Sequence, residues 1–177
     1  AYGRRMETRD LLVDAFGRIV EDFEAAVDGL TAAQVRFRPD AEANSIAWLV
    51  WHATRVQDDH VADLAGDEQV WITDGFEAGL GLDLDPRDIG YGHNADDVSK
   101  VEVHDPTVLL DYLRAVTERT YEYLRRVDEA ELDRIVDRRW DPPVTAGVRL
   151  VSVIDDGMQH AGQARYVRGL LERRQQP

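Results

Sequence analysis

The sequence predicts an all-α protein, an antiparallel four-helix bundle with a long acidic loop between its second and third helices. Three observations carry that prediction. Four long segments repeat apolar residues every three to four positions. Two halves of the chain share one plan: a long helix, a short capped turn, a proline-containing loop and a second long helix. Leu11-Leu12 through Leu30-Thr31-Ala32-Ala33-Gln34 thus resembles Leu109-Leu110 through Val127-Asp128-Glu129-Ala130-Glu131. No segment alternates apolar and polar residues over the length of a strand. Two related helix pairs make a four-helix bundle, and the long connections allow a path other than simple up-down-up-down. The chain has 177 residues, which is expected to make one domain, 1–177, with a core that needs no covalent staples.

The first helix is expected from about Glu7 to Val27, where Leu11, Leu12, Ala15, Ile19, Phe23, Ala26 and Val27 recur on one face and Gly29 ends the run. Thr31 and Gln34 have the spacing of a capping box over a short turn. Pro39 marks a loop. The second helix starts at Asn44 or Ser45, both good caps, and runs to about Leu64, with Gly66 just beyond. From Asp67 to His104 the periodicity lapses into a glycine-rich, acidic stretch with only Arg87 and Lys100 as bases. A loop of that length is functional or disordered; its Trp71, Phe76, Ile89 and Tyr91 favour a packed one. Asp105-Pro106 opens the third helix as a cap with proline at the first helical position, and Val108, Leu109, Tyr112, Leu113, Val116, Thr120, Tyr123, Leu124 and Val127 form its stripe. Another capped turn follows at Asp128. Pro142-Pro143 then breaks the chain before a fourth helix from about Gly147 to Leu171.

Composition excludes several functions. Asp and Glu number 35 against 21 Lys and Arg, a net charge of −14, which repels phosphate backbones and anionic membranes, so no nucleic-acid partner is expected. There is no cysteine, hence no disulfide, cysteine–zinc site or cysteine nucleophile. The longest apolar runs, such as Ile46 to Trp51, fall far short of the ~20 residues of a membrane span. The polar start, Ala1 to Arg9, lacks the apolar stretch of a signal peptide. The expected location is the cytoplasm.

Two titratable clusters fall on core-facing stripes. On the second helix Trp48, Leu49 and Val56 share the face of His52. On the fourth, Asp156 and His160 are four apart and therefore stacked, with Val153, Ala164 and Val167 on the same face. Two imidazoles and a carboxylate converging from two helices have the ligand count of a catalytic metal site with an open position. There a metal lowers the pKa of bound water or holds a thiolate. The same spacing also suits a simple Asp–His hydrogen bond, and a core histidine can be satisfied by a backbone carbonyl.

Asn44-Ser45-Ile46-Ala47-Trp48-Leu49-Val50-Trp51-His52 resembles the second-helix signature of the DinB-like superfamily. His160-Ala161-Gly162-Gln163-Ala164-Arg165, with Arg168-Gly169-Leu170, resembles its last-helix signature. Gly90-Tyr91-Gly92-His93 and the Asp105-Pro106 helix also fit, so the resemblance covers nearly the whole chain. It implies a DinB-like antiparallel four-helix bundle, often a homodimer. It also implies a divalent metal, Zn or Ni, held by one histidine of the second helix and two residues four apart on the last helix, here His52, Asp156 and His160. Asp156 departs from the family pattern, which has histidine or glutamate at that position. The implied activity is that of a metal-dependent S-transferase or isomerase acting on a small-molecule substrate with a low-molecular-weight thiol, mycothiol or bacillithiol, as cofactor. An external thiol suits a chain without cysteine. The alternative is a non-catalytic dimeric bundle that binds a small molecule or carries a vacant metal site.

Other candidates receive plainer readings. His60 lies about 80° around the helix from His52 and ~12 Å along it, and is expected to be exposed among Asp58 and Asp59. His93, in the loop, reads as a surface histidine or as part of a pocket wall. His104, ahead of its cap, reads as structural. Gln163 can orient a ligand, and Arg165 is expected in solvent. Trp48, Trp51, Trp71 and Trp140 read as core or pocket wall. Gly79-Leu80-Gly81 and Gly90-Tyr91-Gly92 do not lie between strand and helix, so neither reads as a phosphate loop. The acidic loop is where substrate selectivity is expected to be decided.

Overall fold

A computed structural model describes residues 6–174; residues 1–5 of the polar N-terminal stretch lie outside that range. Four long helices dominate. The first, α1 (Thr8–Val27), is closed at its start by a capping box between Glu7 and Asp10. The short α2 (Ala32–Val35) has the Thr31–Gln34 capping box that its sequence announces. The second long helix, α3 (Ile46–Ala65), begins where Ser45 Oγ accepts the Trp48 N–H and ends at Gly66, φ +73°.

The span 67–104 is packed and holds three further short helices, α4 (Val70–Thr73), α5 (Phe76–Leu80) and α6 (Ala95–Ser99). Its Trp71, Val98, Val101 and Val103 join the core, but Tyr91 is almost wholly exposed. The third long helix, α7 (Pro106–Leu124), is capped by Asp105, and α8 (Glu129–Asp133) by Asp128. Two short strands that the sequence pattern does not reveal, β1 (Ile135–Asp137) and β2 (Val144–Thr145), pair antiparallel around Pro142-Pro143. They are too short to show an alternating pattern. Trp140, in the turn between them, is exposed rather than core. The last helix, α9, spans Ala146–Arg174.

Side-chain contacts fix the helix directions. Arg114 of α7 reaches Glu24 and Tyr121 lies against Gly17, so α7 runs antiparallel to α1. Gly157 of α9 lies against Ile19 and Arg168 donates to the Ala25 carbonyl, so α9 runs parallel to α1. His60 meets Arg149, and His52 meets Asp156, so α3 runs antiparallel to α9. The path is therefore up-down-down-up. α1 and α3, consecutive in the chain, sit diagonally, each packed between α7 and α9. The long second connection makes this possible, because it leads α3 into a third helix of the same direction.

Within this packing α3 is enclosed on all sides. Every residue from Ile46 to Asp58 is buried, including the polar His52, Thr54, Arg55, Gln57 and Asp58. Gly157 lets α9 approach α1 closely, since a Cβ there would lie 2.9 Å from Ile19 Cδ1. That approach sets the depth at which the neighbouring Asp156 sits against α3. No helix among the described residues is long and apolar enough to cross a membrane.

Candidate functional site

Three donors meet between α3 and α9. His52 Nε2 lies 3.9 Å from Asp156 Oδ1. His160, one turn along α9, places its Nε2 3.4 Å from the same oxygen. The two imidazoles meet edge to face with ring centroids 4.8 Å apart. One donor atom from each of the three residues lies within 4.8 Å of the others. His52 forms the deep wall, with its side chain 7% exposed, while Asp156, at 29%, lies on the open side.

The imidazoles are held by partners on their far nitrogens. His52 Nδ1 contacts the Ile89 carbonyl. A carbonyl only accepts, so Nδ1 carries the proton and the Nε2 lone pair faces α9. Gln163 Oε1, 3.1 Å from His160 Nδ1, selects the same tautomer for the second imidazole. Burial holds the His52 pKa below its ordinary value, outweighing the Ile89 carbonyl and the Asp156 charge, so the ring is neutral. For His160 burial pushes down, while the Asp156 carboxylate and Gln163 push up and prevail. That residue is the more basic of the pair.

Asp156 Oδ2 is buried and has no hydrogen-bond partner. A buried carboxylate oxygen without a donor is costly, and the neutral His52 ring, with its Nε2 lone pair towards Asp156, adds none. A divalent cation would satisfy all three residues. Ligands 2.0–2.2 Å from a tetrahedral zinc ion stand ~3.4 Å apart; the imidazoles stand 3.4 and 3.9 Å from Asp156 Oδ1, and the three donors lie within 4.8 Å of one another. Two imidazoles and a carboxylate form a donor set of the kind zinc and nickel accept.

The structure changes the reading of two other histidine neighbourhoods. His60 is half-buried, not exposed, with Nδ1 accepting from Arg149 at 3.1 Å. Asp58, read as a surface residue, is buried and accepts from Val70 N, Trp71 N and the Tyr112 hydroxyl. His93 is not a surface histidine. Its side chain is 6% exposed, and its ring stacks on Trp51 at 5.8 Å and 19°. His104 is exposed, as is Arg165.

Four residues stand behind the site; the sequence places Trp48 on the His52 face and offers Gly90 in its Gly-Tyr-Gly run, but does not reveal Arg55 or Asp88. Trp48 stacks flat on His52, centroids 4.6 Å apart and planes 16° apart. Arg55, fully buried, donates to the carbonyls of Asp88 and Pro86 and to Gln69 Oε1, and lies over the Trp71 ring. It pins the acidic span to α3. Asp88 closes a turn by accepting the Gly90 N–H at 2.7 Å. Gly90 itself has φ +86°, and a Cβ there would stand 2.7 Å from His52 Nδ1 and 3.0 Å from Trp51 Cζ3. Here the Gly-Tyr-Gly spacing was a readable signal: its glycine lets backbone approach the imidazole, not a phosphate.

Comparison with known proteins agrees with this architecture. The sequence model of the mycothiol-S-transferase family matches residues 11–173. No curated protein matches. Among solved structures, one described as the conserved protein of locus from Enterococcus faecalis superposes with a TM-score of 0.89 at 34% sequence identity. The match covers 94% of this chain and 98% of that one.

Proposed function

Because the chain belongs to the mycothiol-S-transferase family, within the DinB-like superfamily, we propose that it is a divalent-metal-dependent S-transferase. It would join the sulfur of a mycothiol-type thiol to a small electrophile, with His52, Asp156 and His160 holding zinc or nickel. One observation carries the reading. One donor atom each from His52, Asp156 and His160 lies within 4.8 Å of the others, and the second carboxylate oxygen of Asp156, Oδ2, is buried without a donor. A divalent ion there supplies the acidity that keeps an incoming thiol as its thiolate at neutral pH.

The chain's own residues do the rest. His52 stays neutral because burial disfavours its charge, so it remains a ligand across the physiological range. Trp48 and Trp51 wall the inner side and exclude water behind His52. Asp156 and His160 face the open side, where cofactor and electrophile enter. The protein has no cysteine, so the nucleophilic sulfur arrives with the cofactor. A second copy belongs to the same reading: Val148, Val151, Met158 and Tyr166 leave an exposed apolar stripe on α9, and Gly162 has open space beside it, which suits helix-to-helix docking of a homodimer. Light scattering would report a mass of twice the chain.

The experiment is metal analysis of untagged protein purified without chelator, followed by assay of a chromophoric electrophile with mycothiol or bacillithiol. Near one equivalent of zinc or nickel, and electrophile loss that depends on both thiol and metal, is the expected result. No metal uptake after reconstitution removes the ligand assignment. Metal without turnover with either thiol leaves a non-catalytic metal-binding bundle.

A further inference from the structure

His93 stands outside the donor cluster, yet it is tied to it from two directions. Trp48 Nε1 lies 3.0 Å from His93 Nδ1. An indole N–H only donates, so His93 Nδ1 must be the bare, accepting nitrogen. The proton is then on Nε2, which donates to Asp88 Oδ2 at 2.9 Å. Asp88 uses its other oxygen for the Gly90 N–H, and its carbonyl accepts from the buried Arg55. The chain of contacts thus runs from a buried guanidinium through Asp88 and His93 to Trp48, whose ring lies flat on His52. Between Asp88 and Gly90 in the sequence is Ile89, whose carbonyl takes the His52 Nδ1 proton.

From this geometry we propose that His93 is a positioning residue for the metal site. It locks the 88–93 turn against α3, and thereby fixes both the plane and the tautomer of His52. The Asp88–His93–Trp48 relay holds the ring from its face, and the Ile89 carbonyl, carried by the same turn, holds it from its edge. Without the relay Trp48 loses its acceptor, and the turn keeps only the Arg55 contacts at its Asp88 end. The Ile89 carbonyl is then free to leave Nδ1, and the His52 proton can move to Nε2, where it blocks the ligand position. The inference rests on the metal reading for its consequence, but the tautomer of His52 can be measured without metal.

Three variants separate positioning from mere stability. His93→Phe keeps the stacked ring on Trp51 and removes both hydrogen bonds. His93→Gln restores them, with Oε1 accepting from Trp48 and the amide N–H donating to Asp88. Trp48→Phe removes the donor at the other end. In metal-free protein, nitrogen-15 NMR of wild type is expected to show His52 as the Nδ1–H tautomer and a hydrogen-bonded Trp48 indole N–H. In His93→Phe the His52 signals move towards a tautomer mixture, and in His93→Gln they return to the wild-type position. Zinc affinity, read by chelator competition on folded protein, falls about 10–100-fold in His93→Phe and stays within about 3-fold in His93→Gln. The double variant Trp48→Phe/His93→Phe costs less than the sum of the single losses, as members of one relay should. An unchanged His52 tautomer in His93→Phe overturns the proposal. So does equal loss in His93→Gln and His93→Phe when both retain the wild-type helix signal and melting temperature. Absence of metal in every variant, with the tautomer shift present, overturns the proposed function and leaves the positioning role standing.

Discussion

Helix α3 buries polar side chains on two sides, and the sides are built on opposite principles. On one, Arg55 and Asp58 are saturated. The guanidinium has donors engaged by two carbonyls and Gln69, and the Asp58 carboxylate accepts two backbone N–H groups and a tyrosine hydroxyl. On the other, His52 faces His160 and Asp156, whose Oδ2 has no donor. A network with its hydrogen bonds closed rigidifies a fold. A cluster rich in acceptors and poor in donors calls for a cation. The lesson is that burial of polar groups does not by itself mark a site; the balance of donors to acceptors does. Asp58, wholly buried, and Asp156, with one buried oxygen, make the contrast plain.

The largest expected effect lies on the saturated side. Arg55→Leu removes the guanidinium that stands 3.7 Å from the Asp58 carboxylate and frees the Asp88 and Pro86 carbonyls. Breaking a buried pair in this way costs about 3–5 kcal/mol. Urea denaturation should show that loss, and limited proteolysis should cut within 67–104 before the helices. A cost below about 1 kcal/mol would mean that the guanidinium is a passenger, and the contrast between the sides would collapse.

On the open side, His52→Ala should reduce zinc or nickel affinity by more than ~100-fold, beyond what loss of an outer partner costs. Its cost to folding should be no more than about 2 kcal/mol, since the hydrogen-bond partner left behind is the Ile89 carbonyl and the stacking on Trp48 is lost. Calorimetric titration against the wild-type protein checks the first part and denaturation the second. A variant that keeps stoichiometric metal would remove His52 from the ligand set.

Gly90→Ala bridges the two sides. The substitution places a Cβ 2.7 Å from His52 Nδ1 on a backbone at φ +86°, a conformation that costs a residue with a side chain about 1–3 kcal/mol. The expected result is a loss of that size, with metal affinity reduced as His52 is displaced. Loss of stability with unchanged affinity would show that the turn supports the fold and not the imidazole.

These contrasts show what a linear sequence reveals. The four long helices, their caps at Ser45, Asp105 and Asp128, and the Thr31–Gln34 capping box are local, so spacing and composition disclose them. His52, Asp156 and His160 could be placed on core-facing stripes because helical periodicity assigns faces without knowledge of partners. The two strands around Pro142-Pro143 could not be read, since five residues carry no period. Nor could His93 or Asp58 be placed. Their burial depends on what the aperiodic span 67–104 lays against α3, and a helix that is enclosed on every side gives its polar residues no stripe to betray them. Trp140 shows the opposite failure, an aromatic residue left in solvent by a turn too short to fold it inward.

The smallest effect is the most discriminating. Asp58 and Asp156 are both acidic residues packed in α-helices, yet one is held by three donors and the other has an orphaned oxygen. Burial raises the Asp58 pKa against the opposing pull of Trp71, Tyr112, Val70 and Arg55, so its cost is offset in part, by contacts that Asp156 lacks. Asp156→Ala is therefore expected to change the stability of metal-free protein by no more than about 0.5–1 kcal/mol in either direction, because the desolvation cost of the unpartnered oxygen disappears along with the contact to His160. The same variant should bind no zinc or nickel, and added metal should no longer raise its melting temperature. That combination, fold retained and metal response lost, is what a residue kept for a ligand rather than for the fold must show. A loss of several kcal/mol without metal would instead make Asp156 a second Asp58, and its pairing with His160 a structural hydrogen bond of the core.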